Sequence, residues 1–180
     1  MNFEGLSKLN QYLTFRLDKE TYAFDIATVQ SVLDFDKITK VPKTPDFMRG
    51  VINLRGSVVP IVDMKKKFGM GCIEKTVDTC IIIVEVELDG DFTVLGCLVD
   101  SVNEVIDLLP EDIEPAPKIG TRLNTEFITG MGKNEEGFII LLNLNKIFSA
   151  DELTIVQEAG GSDKKKEEKE NKVEAVAETT

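Results

Sequence analysis

The stretch FMRGVINLRGSVVPIVDMKKKFG, residues 47–69, decides the fold. Val51-Ile52-Asn53-Leu54 is rich in β-branched residues and reads as a strand. Arg55-Gly56 makes a tight turn, with glycine free to take positive φ. Val58-Val59-Pro60-Ile61-Val62 is the returning strand. Pro60 has no N–H for a ladder, so that strand is expected to lie at an edge or a bulge there. Asp63 caps the element that follows, because a carboxylate accepts hydrogen bonds from the free N–H groups of a first helical turn. Met64 and Phe68 lie four apart and so share a helix face.

Outward from this stretch the same grammar recurs. Leu13, Phe15 and Leu17 alternate, Asp18-Lys19-Glu20 can turn, and Tyr22, Phe24 and Ile26 alternate again. Further on, Ile82, Val84, Val86 and Leu88 alternate up to Asp89-Gly90, a pair suited to a type I′ turn, and Phe92, Val94 and Leu98 continue beyond it. Two hairpins about 70 residues apart suggest an internal repeat. Ile26–Asp34 lies on Val99–Asp107 at an offset of 73, and Pro42 meets Pro115. The offset then grows to 80, where Phe47 meets Phe127, Gly50 meets Gly130, Val58–Val62 meets Phe138–Leu142, and Asp63 meets Asn143. The extra residues belong to a loop between about Ala116 and Asn124, where insertions are tolerated. Each repeat of about 60 residues is too small to carry a stable core alone. The expected fold is therefore all-β: two pseudo-repeated five-stranded barrels sharing an apolar seam, with a short helix after the last strand of each. The first barrel is expected over about 9–68 and the second over about 76–150, closed by a C-terminal helical segment, so that the domain covers 9–156. Residues 157–180 carry seven acids, five bases and almost no large apolar side chain. Such a segment cannot offset its ordering entropy by burial, and a disordered charged tail is expected.

Composition removes several function classes. The 180-residue chain has a formal charge of −11 and a pI near 4.6. Phosphate backbones and anionic lipid headgroups repel such a surface, so neither nucleic acid nor a membrane is an expected direct partner. The apolar runs Ile81–Val84 and Phe138–Leu142 are too short to cross a bilayer. Met1–Lys8 shows no basic start followed by an apolar run, so no secretory leader is expected. The chain has no histidine, which removes histidine general bases, histidine-paired nucleophiles and histidine metal ligands. Cys72, Cys80 and Cys97 are odd in number and form no CxxC pair. Cys80 and Cys97 sit in apolar β runs and read as small core residues. Gly132-Lys133 lacks the rest of a P-loop, Gly69-Met70-Gly71 lacks the later glycine of a dinucleotide fingerprint, and the paired acids Glu135-Glu136 belong to no calcium loop. No catalytic residue, metal or cofactor is expected.

Arg49-Gly50-Val51-Ile52-Asn53-Leu54-Arg55-Gly56 followed by Val59-Pro60-Ile61-Val62-Asp63 resembles the signature of CheW-like domains. Phe24-Asp25-Ile26 with Val29-Gln30, Leu98-Val99-Asp100 with Val102, and Thr125–Gly130 support the resemblance, which covers roughly Asn10 to Ala150. It implies two SH3-like barrels, in agreement with the repeat. It also implies a free-standing, non-enzymatic, cytoplasmic adaptor recruited to membrane-associated receptor arrays. Such an adaptor couples the cytoplasmic tips of methyl-accepting chemoreceptors to the regulatory domain of a CheA-type histidine kinase. By the same resemblance the receptor-binding residues are Val29, Gly50 and Arg55, with Ser31 at a neighbouring position where relatives often carry an acid. The strand Val32–Val41, with Phe35 and Ile38 as its exposed residues, is the expected kinase contact. The alternatives are an adaptor of a surface-motility pathway and, in other classes, a small β-barrel enzyme or a nucleic-acid-binding factor.

Overall fold

The computed structural model describes residues 10–35, 37–88, 90–115, 127–135 and 137–160. The strands are β1 (Asn10–Leu17), β2 (Glu20–Asp25), β3 (Val29–Asp34), β4 (Met48–Leu54), β5 (Ser57–Asp63), β6 (Cys80–Leu88), β7 (Asp91–Val99), β8 (Ser101–Leu108), β9 (Ile113–Glu114), β10 (Ile128–Asn134) and β11 (Gly137–Leu142). The helices are short: α1 (Met64–Lys67), α2 (Leu144–Ile147) and α3 (Ala150–Gly160). None is long and apolar enough to cross a membrane. Two sheets result, a six-stranded one in the order β8-β1-β2-β11-β10-β9 and a five-stranded one in the order β3-β6-β7-β5-β4. The all-β reading holds; the two-residue β9 gives one sheet a sixth strand.

The repeat is visible in hydrogen bonds. β2 runs parallel to β11, as β7 runs parallel to β5. The Asp63 N–H donates to the Phe47 carbonyl at 2.7 Å, and the Asn143 N–H donates to the Phe127 carbonyl at 2.7 Å. The β4–β5 ladder shifts register between Met48 and Gly50, and the β10–β11 ladder shifts between Ile128 and Gly130. An extra residue therefore bulges at Arg49 and at Thr129, positions that correspond under the offset of 80. Asp63 and Asn143 cap α1 and α2 as expected, accepting from the N–H groups of Lys66 and Asn145.

Both sheets curl until their ends meet. Thr39, just beyond β3, exchanges two backbone hydrogen bonds with Val51 of β4, at 2.9 and 2.8 Å. β9, just beyond β8, pairs with β10 in the same way. The closing segments cross over Gly50 and Gly130. A Cβ on Gly50 would stand 2.2 Å from the Thr39 carbonyl oxygen, and one on Gly130 would stand 2.8 Å from that of Glu114. Closure therefore requires glycine at both positions, and Gly50 also holds φ at +147°.

The division of the chain differs from the expected one. The hairpin β1–β2 lies in the sheet of β8–β11, and the hairpin β6–β7 lies in the sheet of β3–β5. Each repeat thus lends its hairpin to the other, and segments 9–68 and 76–150 are not separate sheets. The strand expected from Val32 to Val41 ends at Asp34, because the chain leaves β6 there to make the closing contact at Thr39. Pro60 lies on an interior strand, yet the parallel ladder of β5 to β7 begins only at Ile61, so the residue without an N–H falls just outside it. The domain also extends beyond 156, since α3 runs to Gly160 and Gln157 Nε2 donates to Thr93 Oγ1. Residues 161–180, the expected loop over 116–124 and Asp89 of the expected Asp-Gly turn lie outside the described residues.

The shared seam is the main core. It joins Leu13, Phe15, Leu17 and Phe24 of the six-stranded sheet to Ile61, Ile81, Ile83, Leu95 and Leu98 of the other. Tyr12, Ala23, Leu108, Ile139 and Leu141 form a second cluster on the opposite face of β1 and β2. β1 is therefore buried on both faces at its centre, where simple alternation predicts one. Its pairing with β8 is broken between Leu13 and Phe15, and buried Thr14 fills the break. Thr14 Oγ1 donates to the Glu104 carbonyl at 2.8 Å and accepts from the Glu104 N–H at 3.1 Å, satisfying both groups freed by the bulge. Lys65 ties the sheets at the rim, lying 2.6 Å from Asp18 and 3.1 Å from Asp100. The hydrogen bond to Asp18 raises its pKa above the ordinary lysine value, with Asp100 adding to the shift against partial burial.

Candidate interaction surfaces

Arg55 is an exposed cation held in a left-handed backbone conformation. Leu54 pairs with Ser57, so Arg55-Gly56 is a two-residue hairpin loop. Both residues hold positive φ, +53° for Arg55 and +87° for Gly56. That is the type I′ geometry whose twist matches the flanking strands, and it favours Asn or Gly at the first position. Arginine there costs roughly 1–2 kcal/mol. The Gly56 N–H donates to Asn53 Oδ1 at 2.9 Å, which helps hold the turn. Arg55 is exposed, and among the described residues it has no ion pair or hydrogen-bonding partner. Its cation is thus displayed rather than used to clamp its own fold.

The other expected receptor residues are placed differently. Val29 begins β3 opposite Val84 and is half-buried, packed on the main core. The ladder shifts register at residue 30, and β3 alternates in burial along its length, leaving Val32 outward at 42% exposure. Ser31 pairs with Ile83 and is half-buried. Gly50 is buried beneath Thr39 and offers no surface; it closes the sheet. Of the four, Arg55 alone is fully at the surface.

Phe35 and Ile38, expected to be exposed, are half-buried and pack on the core. They line a depression of about 540 Å³ together with Lys37, Lys40, Arg49 and Lys75. Lys75 Nζ sits 5.0 Å from the centre of the Phe35 ring. Arg49, at the β4 bulge, lies 3.2 Å from Asp63 and also donates to the Ile73 carbonyl at 3.0 Å. Asp63 is 1% exposed, and its other contacts are the N–H groups of Ile73 and Lys66. This anchoring of the chain after α1 rests on Arg49 and Asp63; the sequence shows Asp63 as a cap and Arg49 only as the start of the signature. Their spacing of 14 residues across a hairpin and a bulge was the available signal.

Gly132-Lys133 lies within β10, where Gly132 is buried and Lys133 pairs with Glu114 at 2.6 Å. Gly69 and Gly71 take positive φ in the chain leaving α1, as turns do. Cys97 is buried, and burial pushes its thiol pKa far up. Cys80 is half-buried and shifted the same way, again chiefly by burial, while Cys72 is exposed.

Two curled sheets exchanging hairpins define a two-sheet β module with a turn cation displayed on one face and a basic depression on another. Residues 11–152 match the model of the CheW-like domain. Among similar proteins, a chemotaxis protein CheW of Klebsiella aerogenes is 37% identical over 84% of this chain and 89% of its own. A chemotaxis protein CheW of Rhizobium meliloti is 32% identical over 79% and 89%. A solved structure titled as the scaffolding protein TtCheW from Thermoanaerobacter tengcongensis superposes with a TM-score of 0.70 at 39% identity, covering 79% of this chain and 90% of that one. The chain belongs to the CheW-like domain family, and neither the family description nor these names indicate an enzyme.

Proposed function

We propose that the chain is a non-catalytic adaptor of bacterial chemotaxis, coupling the cytoplasmic tips of chemoreceptors to the regulatory domain of a CheA-type histidine kinase. The family match across residues 11–152 carries this reading. The adaptor works in the cytoplasm at receptor arrays and presents two surfaces. Arg55 is the receptor anchor: a planar five-donor cation suits a carboxylate or carbonyl cluster on a receptor helix. Val29 and Ser31 support that surface from β3, while Gly50 acts through the closing contact that shapes the sheet. Phe35 and Ile38 form the kinase contact, as the apolar floor of the depression.

The test is reconstitution. Receptor fragments and kinase mixed with the purified chain should show raised autophosphorylation, and omission of the chain should abolish the rise. Activation that is unchanged without the chain would refute the reading.

A further inference from the structure

The depression beside β3 gathers four cations, Lys37, Lys40, Arg49 and Lys75, around Phe35 and Ile38. None of the described residues lining it is acidic, although acids outnumber bases 32 to 21 in the whole chain. A face lined by cations, with no acid among its described lining residues, attracts an anion. The floor argues against a free inorganic anion, because aromatic and aliphatic surface gains nothing from one. It suits a side-chain cluster in which an apolar residue is flanked by carboxylates. Arg49 is already paired with Asp63, so the cations available to recruit such a segment are those on the rim, where Lys40 and Lys75 are exposed.

We infer that this depression receives an acidic segment of the kinase regulatory domain, carrying an apolar residue onto Phe35 and Ile38 with carboxylates against Lys40 and Lys75. The inference rests on the kinase contact proposed above and adds the chemistry of the partner. It also explains how a strongly acidic adaptor docks an acidic segment: the local field of this face opposes the field of the whole molecule.

The test is titration of the full chain against the isolated kinase regulatory domain at about 0.05 and 0.3 M salt. The parent should bind several-fold more weakly at the higher salt. Lys40→Glu combined with Lys75→Glu should lower affinity at least tenfold at low salt, mainly through slower association, and should flatten the salt dependence. Lys40→Glu alone, which leaves the cation over the Phe35 ring in place, should give part of both effects. Phe35→Ala and Ile38→Ala should weaken binding at both salt concentrations, with cooperative melting confirming that each variant folds. If the lysine variants match the parent while Phe35→Ala and Ile38→Ala lose binding, the acidic-segment inference is overturned and the kinase contact stands. If every variant matches the parent, the kinase contact itself is misplaced and the inference falls with it. If the lysine variants lose receptor fragments instead of the kinase domain, the depression belongs to the receptor and the inference is again overturned.

Discussion

Arg55, the proposed receptor anchor, holds a left-handed backbone conformation that costs stability. Replacing it with glycine removes the left-handed strain of roughly 1–2 kcal/mol and returns part of that as unfolded-state entropy. Arg55→Gly should therefore keep or slightly raise the melting temperature while receptor affinity falls at least tenfold. Thermal melting and receptor-tip titration measure the two signs separately; a loss of stability with unchanged binding would make the residue structural. A Thr14→Val change, nearly isosteric, should instead cost about 1–3 kcal/mol in denaturant titration, because the Glu104 N–H and carbonyl lose their partner in a buried bulge. The sequence shows these two residues unequally. The Arg55-Gly56 turn is legible because glycine lies between two apolar runs, but the left-handed φ of Arg55 is not, since side chains seldom take it. Val29 as an exposed contact comes from the family resemblance, and Phe35 as an exposed residue from the expected strand Val32–Val41. The closure at Thr39 folds β3 and its continuation inward, which makes them half-buried, and a charge placed on either would disturb the core as well as a partner.

Helix α3 shows how an element is fixed from outside itself. Ser149 and Glu152 form a capping box: Glu152 Oε1 accepts from the Ser149 N–H at 3.0 Å, and Ser149 Oγ accepts from the Glu152 N–H at 3.1 Å. The second carboxylate oxygen accepts from Lys67 of α1 at 2.7 Å, and Lys67 lies 5.2 Å from the ring centre of Phe47 and 5.6 Å from that of Phe148. Leu153 and Val156 then bury their side chains in the main core. Partial burial pushes the Glu152 pKa up, but the bonds from Lys67 and Ser149 outweigh it and leave the value below the ordinary one. A carboxyl lowered on folding adds stability that is complete above its unfolded value, near 4.3, and is lost as pH falls through the lower folded value. Glu152→Gln should cost about 1 kcal/mol or less at neutral pH and make stability less steeply pH-dependent below about 4.5. Denaturation midpoints measured between roughly pH 3 and 7 check this; parallel curves for parent and variant would contradict it. The sequence motif Ser-x-x-Glu is local and readable, whereas the contact with Lys67 spans 85 residues and is not.

At the scale of the molecule, the exchanged hairpins govern the design. Periodicity in the sequence identifies strands, faces, turns and the repeat itself, because all of these are local. It does not say which sheet a hairpin joins, and the parallel pairings of β2 with β11 and β7 with β5 are distant in the chain. Two self-contained barrels and two exchanged sheets share the same alternation, so only long-range packing chooses between them. The exchange makes each repeat incomplete without the other. Fragments 1–75 and 76–180 should each lack a cooperative thermal transition, and mixing them should restore one. A cooperative melt from either fragment alone would show that the repeats are independent. Arg55 and Gly50 come from the signature segment as proposed contacts, while the depression was not legible, because Lys75 reaches Phe35 from 40 residues away. The central claim is that one folded chain bridges two partners through separate faces. Its most direct test is analytical ultracentrifugation of the chain with a receptor-tip fragment and a kinase regulatory domain. The account predicts a ternary complex with the parent, and with Arg55→Ala a complex of adaptor and kinase domain from which the receptor fragment is missing. Receptor and kinase fragments that compete for the chain, or an Arg55→Ala variant that retains all three components at parental affinity, would contradict it.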